Sequence, residues 1–157
     1  MPEKTPSYKG LKPASEVASK AKRSNTRTDT KPELMLRKKL WQNGLRFRKN
    51  VKSLPGKPDI VFIKARVVVF CDGDFWHGRN WESRKTKLEG GTNSEYWVAK
   101  IAMNIERDKR NTALLEALDW LVLRVWEGDI KKSLETVAGN IETVVRGRLA
   151  VANNPKI

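Results

Sequence analysis

The run Val67-Val68-Val69-Phe70-Cys71 contains no charged or hydrogen-bonding side chain apart from a thiol at its end. A strand of that composition is buried on both faces and belongs in the middle of a sheet. A second apolar run, Ile60 to Ile63, precedes it and is entered through the rigid turn Leu54-Pro55-Gly56-Lys57-Pro58-Asp59. The central strand leads straight into Asp72-Gly73-Asp74-Phe75-Trp76-His77-Gly78. Three carboxylates and the one histidine of the chain therefore lie at the ends of expected strands, beside a Phe-Trp pair.

The rest of the chain supplies covering elements. Thr30-Lys31-Pro32-Glu33 reads as a helix start, with Thr30 as cap, Pro32 in the first turn and Glu33 completing a capping box. That helix carries Leu34, Leu36, Leu40 and Trp41 and stops at Asn43-Gly44. Leu45 to Val51 alternates apolar and basic residues, a half-exposed strand. Residues 78–93 read as a charged, Gly-containing loop. Ser94 to about Leu118 reads as a long amphipathic helix, Leu121 to Trp126 as another strand, and Ile130 to about Leu149 as a last helix. The order is helix, three strands, helix, strand, helix, an α/β domain over 29–150. Residues 1–28, rich in Lys, Ser, Thr and Pro, read as a basic flexible arm with a short helix at Ala14 to Lys22.

Charge narrows the partner. The 157 residues hold 32 Lys+Arg against 18 Asp+Glu, a formal net charge of +14. Part of the excess lies in the arm, yet the remainder is still strongly basic, which favours a polyanion such as nucleic acid. A single cysteine rules out an internal disulfide and a cysteine-based zinc site. No apolar stretch is long enough to span a membrane and no signal-peptide core opens the chain, so a cytoplasmic protein is expected.

The polar residues at the strand ends have two readings each. Asp59 is held by a rigid element, which suits a magnesium ligand, although an aspartate in a turn needs no function. Asp72 follows the central strand and sits beside Asp59 if the two strands pair; carboxylates on adjacent strand ends suit a hard cation and phosphodiester cleavage. Asp74 is a second acid nearby or a solvated loop residue. His77 is a candidate general base or a structural histidine. On the long helix, Trp97, Ile101, Ile105, Asp108 and Leu115 fall on one stripe, so Asp108 sits on an apolar face and needs a partner. His77 is one candidate; Arg107 or Arg110 is the other. Phe75, Trp76 and Trp97 suit stacking on bases or covering the sheet.

These residues, in this order, resemble the very-short-patch-repair (Vsr) DNA mismatch endonucleases. The resemblance runs from Thr28 to about Ile130. It rests on Asp29-Thr30-Lys31-Pro32-Glu33, Leu54-Pro55-Gly56-Lys57-Pro58-Asp59, Phe75-Trp76-His77-Gly78, Asn104-Ile105-Glu106-Arg107-Asp108 and Leu-Arg-Val-Trp-Glu at 123–127. It implies the PD-(D/E)xK, restriction-endonuclease-like fold, a central mixed β-sheet flanked by helices. It also implies a strand nick at a T:G mismatch with Mg²⁺, or with Mn²⁺ as its substitute. On this resemblance Asp59 matches the principal metal-binding aspartate, Cys71 lends a main-chain oxygen to the metal, and Asp72 stands in the active site where the family has a histidine. His77 matches the general base, Asp108 its carboxylate partner, and Glu33 an active-site glutamate. Phe75, Trp76 and Trp97 match aromatics wedged into DNA, and Asn104 belongs to the same DNA-binding set. The implied partners are double-stranded DNA and general mismatch-repair proteins, for a monomer associated with the nucleoid. Better-known members bind a structural zinc through Cys and His; here those positions read Asp74, Arg79, Trp81 and Gly128, so no structural zinc is expected. The rival readings are a sequence-specific homing or restriction-type endonuclease with the same core, and a DNA-binding protein without catalysis.

Overall fold

The computed structural model describes residues 28–153. The expected arm, up to its last residue, and the short helix within it lie outside the described residues. The first element is α1 (Lys31–Gln42), and the Thr30 side chain caps it by accepting from the Glu33 N–H. The capping box is altered: the Glu33 carboxylate accepts the N–H of Asp29, one residue before the cap, rather than that of Thr30. Leu36 and Leu40 are fully buried on the inner face of α1.

Four strands follow in one sheet of order β1-β2-β3-β4: β1 (Arg48–Lys49), β2 (Ile60–Phe62), β3 (Val67–Asp72) and β4 (Leu121–Trp126). β1 pairs antiparallel with β2, β2 antiparallel with β3, and β3 parallel with β4. The mixed sheet flanked by helices is the α/β architecture expected from the sequence. Every residue of β3 is buried, as its composition requires. The alternating strand assigned to Leu45–Val51 shrinks to Arg48–Lys49, because both of its residues lie exposed at the sheet edge and only two pairs to β2 form.

Side chains alternate across the sheet and build two cores. Val67, Val69 and Cys71 point to one face with Ile60 and Phe62, where α1 and the C-terminal helices cover them through Leu36, Leu40, Ile130, Ala138, Ile141 and Val145. Val68 and Phe70 point to the other face with Val61, where Leu115 covers them. By the same alternation Asp72 points to that second face.

Leu115 belongs to α3 (Ser94–Ala117), the long helix. Between β3 and α3 the charged loop expected over 78–93 instead contains a helix, α2 (Trp81–Glu89). It buries no residue and its cap Asn80 makes no side-chain capping bond, so neither apolar periodicity nor a cap signal marked it. The last expected helix is two: α4 (Glu127–Lys132) begins directly after β4, and α5 (Leu134–Asn153) follows a break at Ser133. No helix among the described residues is long and apolar enough to cross a membrane.

Candidate active site

The pairing of β2 with β3 decides where the acids meet. Asp59 precedes β2 and donates its N–H to the Val69 carbonyl at 3.1 Å, so it lies beside the C-terminal end of β3. Its Oδ2 accepts the Cys71 N–H at 2.7 Å. That bond fixes the Asp59 carboxylate against the Cys71 main chain, while the Cys71 thiol stays buried on the α1 face. Glu33 reaches the same spot from the first turn of α1 and is 2% exposed. Burial, with the nearby Asp59 charge, pushes its carboxyl up to about 8, and the two carboxyls share a hydrogen bond. Burial also raises Asp59 above its usual range, against the stabilising Cys71 N–H and Glu33 bonds. A buried and a half-buried acid that share a proton are a strained arrangement for anions, and a divalent cation on their oxygens would relieve it. The donor set there, carboxylate oxygens, suits a hard cation.

On the other face of the sheet stand Asp72, His77 and Asp108, whose candidate ligand atoms lie within 4.8 Å of one another. The chain from Gly73 to Asn80 is a series of turns, with His77 N–H on the Gly73 carbonyl at 3.1 Å and Arg79 N–H on the Asp74 carbonyl at 2.9 Å. Gly78 closes this loop onto α3 in the left-handed region, φ +71°, where a Cβ would stand 2.5 Å from Ile105 Cδ1. The loop therefore lies flat on α3 and puts His77 Nδ1 2.5 Å from Asp108 Oδ2. Of the partners left open for Asp108, the structure selects His77. Asp72 Oδ1 is 3.7 Å from the same ring nitrogen. Burial pulls His77 down, but the Asp108 hydrogen bond and the charges of Asp72 and Asp108 outweigh it, and the imidazole is a stronger base than usual. Burial raises Asp72, opposed by His77 and Arg124.

The aromatics form one cluster at the mouth of this loop. Ring centroids are 5.2 Å apart for Phe75 and Trp76, 5.4 Å for Phe75 and Trp97, and 5.7 Å for Trp76 and Trp97. All three are half-buried, so each keeps part of its surface toward solvent. Asn104 is buried and donates its side-chain amide to the Trp76 carbonyl at 2.9 Å. It supports the cluster from behind.

Asp74 is not a solvated loop residue. Its Oδ1 accepts the Gly128 N–H at 3.1 Å, and Arg79 bridges Asp74 Oδ2 at 3.4 Å and Asp129 Oδ1 at 2.9 Å. A Cβ on Gly128 would fall 2.5 Å from Asp74 Oδ2, so a larger residue there would displace the Asp74 carboxylate. Three of the four positions named above for zinc thus take part in a polar brace between the His77 loop and the start of α4.

Two residues had no assigned role in the sequence. Arg124, on β4, bonds both oxygens of Asp72 and the Asp108 carbonyl. Its signal was there: one cation inside an apolar strand has to meet an acid. Glu127 accepts the Thr30 hydroxyl at 3.0 Å and so ties the start of α1 to the end of β4.

A profile of the family described as DNA mismatch endonuclease Vsr matches residues 14–83. The chain is 46% identical over 133 residues to the type II nicking enzyme V.NmeDIP of Neisseria meningitidis serogroup C, covering 85% of this chain and 88% of that one. It is 39% identical over 127 residues to the type II nicking enzyme V.HpaIIP of Haemophilus parainfluenzae, covering 81% and 89%. It is 38% identical over 138 residues to the DNA mismatch endonuclease Vsr of Escherichia coli K12, covering 85% and 86%. With identity of this order along most of both chains, and a site of buried acids around a carboxylate-bound histidine, the chain belongs to the Vsr family and is a DNA endonuclease.

Proposed function

We propose that the protein nicks one strand of double-stranded DNA at a T:G mismatch, in a Mg²⁺-dependent reaction. The observation that carries this reading is the pair His77 Nδ1 to Asp108 Oδ2 at 2.5 Å, set beside Asp72 at the end of β3, close enough for its charge to act on Asp59. With Asp108 on Nδ1, the ring proton resides on that nitrogen and Nε2 carries the lone pair. Nε2 then takes the proton of the attacking water, and Asp108 holds the ring in that tautomer and stabilises the imidazolium that forms. Asp59, with the Cys71 main-chain oxygen and Asp72, would hold Mg²⁺ or Mn²⁺ on the scissile phosphate. When bound, the ion neutralises charge developing on the phosphate oxygens and the leaving 3′ oxygen. Glu33 keeps a proton near Asp59 and would offer a further carboxylate oxygen to such a cation.

Mismatch selectivity is assigned to the aromatic cluster. Phe75, Trp76 and Trp97 unstack a base step when they enter the duplex, which costs a few kcal/mol in paired DNA and less where a mismatch has already weakened stacking. Asn104 acts on DNA through Trp76, whose main chain it holds. Basic side chains of the surface supply the sequence-independent contacts to phosphate.

The E. coli relative is named a mismatch endonuclease and the other two are named nicking enzymes, so sequence-directed nicking is the reading to separate. End-labelled duplexes that differ only in T:G or T:A at one position, incubated with Mg²⁺ or with EDTA, make the comparison. A nick confined to the T:G duplex and abolished by EDTA supports the proposal. Equal cleavage of both duplexes supports the sequence-specific rival, and binding without any cleavage supports the non-catalytic one.

A further inference from the structure

We propose that Arg124 is the positioning residue of this site: its guanidinium holds Asp72 and the Asp108 turn of α3 in place, and through them sets the hydrogen bond of His77. The inference rests on reading His77 and Asp108 as the proton-accepting pair. Arg124 is the one charged residue of β4. In register it lies opposite Phe70, and its guanidinium carbon sits 4.1 Å from the centre of that ring. All three nitrogens then have acceptors. Nη1 contacts Asp72 Oδ1 at 3.1 Å and Oδ2 at 3.2 Å. Nη2 donates to the Asp108 carbonyl at 3.2 Å, and Nε donates to Thr112 Oγ1 at 3.0 Å. One planar group therefore ties the end of β3 to two successive turns of α3. Lysine, with a single nitrogen, has no such fork.

The tie matters because two carboxylates approach one ring nitrogen. His77 Nδ1 is 2.5 Å from Asp108 and 3.7 Å from Asp72. Arg124 occupies Asp72 and leaves the Nδ1 proton to Asp108. Without it, Asp72, which is 4% exposed, keeps His77 as its ion-pair neighbour among the described residues and competes with Asp108 for that proton. A fully exposed ion pair would matter little; here the Asp72 end is buried and the Arg124 side chain is 23% exposed.

His77 is the only histidine in the chain, so its imidazole nitrogen resonances can be assigned without ambiguity. The test uses Arg124→Met, Asp72→Asn, their double mutant, Arg124→Lys and His77→Ala in the full chain. Three quantities are read: the single-turnover nicking rate on a T:G duplex with Mg²⁺, the affinity for that duplex, and the His77 ¹⁵N shifts in metal-free protein. Arg124→Met is expected to slow nicking by on the order of 10–100-fold, as for partners that orient a site residue, with DNA affinity unchanged and the Nδ1 resonance moved. In that background Asp72→Asn is expected to return the Nδ1 resonance, so that the double mutant nicks faster than the product of the single losses. Arg124→Lys should fall between wild type and Arg124→Met, and it carries both readouts if Arg124→Met does not fold. Wild-type rates and unmoved His77 resonances in the Arg124 variants, or strictly multiplicative losses in the cycle, overturn the proposal. His77→Ala separates the two levels: if it nicks like wild type the base assignment fails, whereas a slow His77→Ala with an additive cycle overturns only the role of Arg124.

Discussion

Gly78→Ala should destabilise the protein by about 2–5 kcal/mol, and most of the loss should depend on one neighbour. Two effects add. Gly78 has φ +71°, and holding an L-residue in the left-handed region costs about 1–2 kcal/mol. The new Cβ would also stand 2.5 Å from Ile105 Cδ1, 2.9 Å from Ile105 Cγ1 and 3.2 Å from Ile101 Cγ2. The first two distances require something to shift, and overpacking of that kind costs about 1–3 kcal/mol. Ile105 lies one turn before Asp108 on α3, so the shift that relieves the clash also draws Asp108 away from His77. Urea unfolding of wild type, Gly78→Ala, Ile105→Ala and the double mutant measures each part. In the Ile105→Ala background the alanine should cost only the backbone share, about 1–2 kcal/mol, giving a coupling of about 1–3 kcal/mol. A Gly78→Ala protein within about 0.5 kcal/mol of wild type, or an equal loss in both backgrounds, would refute the packing of the His77 loop on α3.

Glu33, with its carboxyl pushed up to about 8, binds a proton in the folded state that the unfolded chain gives up near 4.5. Stability of the metal-free protein should therefore fall as pH rises from about 4.5 to about 8, with Asp59, Asp72 and His77, all raised, contributing in the same sense. Urea midpoints at both ends of that window should show a shallower fall in Glu33→Gln; an identical slope would contradict the placement of Glu33. Mg²⁺ binding by calorimetry should release protons and tighten with pH. Replacing Phe75 and Trp76 with Ala should reduce the preference for T:G over T:A duplex and leave the salt dependence of binding unchanged, since no cation is lost. Equal preference in both proteins would return those residues to a covering role. Activity should survive a zinc-selective chelator, and stoichiometric zinc in the purified protein would contradict the polar brace of Asp74, Arg79 and Gly128.

Long, uniform patterns were the legible part of the fold. Val67–Cys71 announced a central strand by its lack of polar residues, and the stripe from Trp97 to Leu115 announced α3. The need of Asp108 for a partner followed from the same stripe, because an acid on a buried face needs a proton or a cation, while the choice of His77 over Arg107 or Arg110 rests on the turn at Gly78. What remained hidden depends on contacts distant in sequence. α2 buries nothing, so no hydrophobic period marks it. The register of β3 on β4 brings Arg124 opposite Phe70 and next to Asp72, and no local pattern encodes that register. Asn104 entered only through the resemblance, as one of a DNA-binding set; that it is buried and holds the Trp76 carbonyl depends on the turn at Gly78.

The most direct measurement is the single-turnover nicking rate of His77→Ala and Asp108→Asn on a T:G duplex with Mg²⁺, at enzyme concentrations that saturate the DNA. Loss of a positioned general base is expected to slow the step by about 10²–10⁴-fold, with unchanged affinity for the duplex. Because the two residues act as one unit, the double mutant should be little slower than His77→Ala alone. A His77→Ala protein that nicks at the wild-type rate contradicts the assignment of the base, and fully multiplicative losses would make Asp108 a structural partner only.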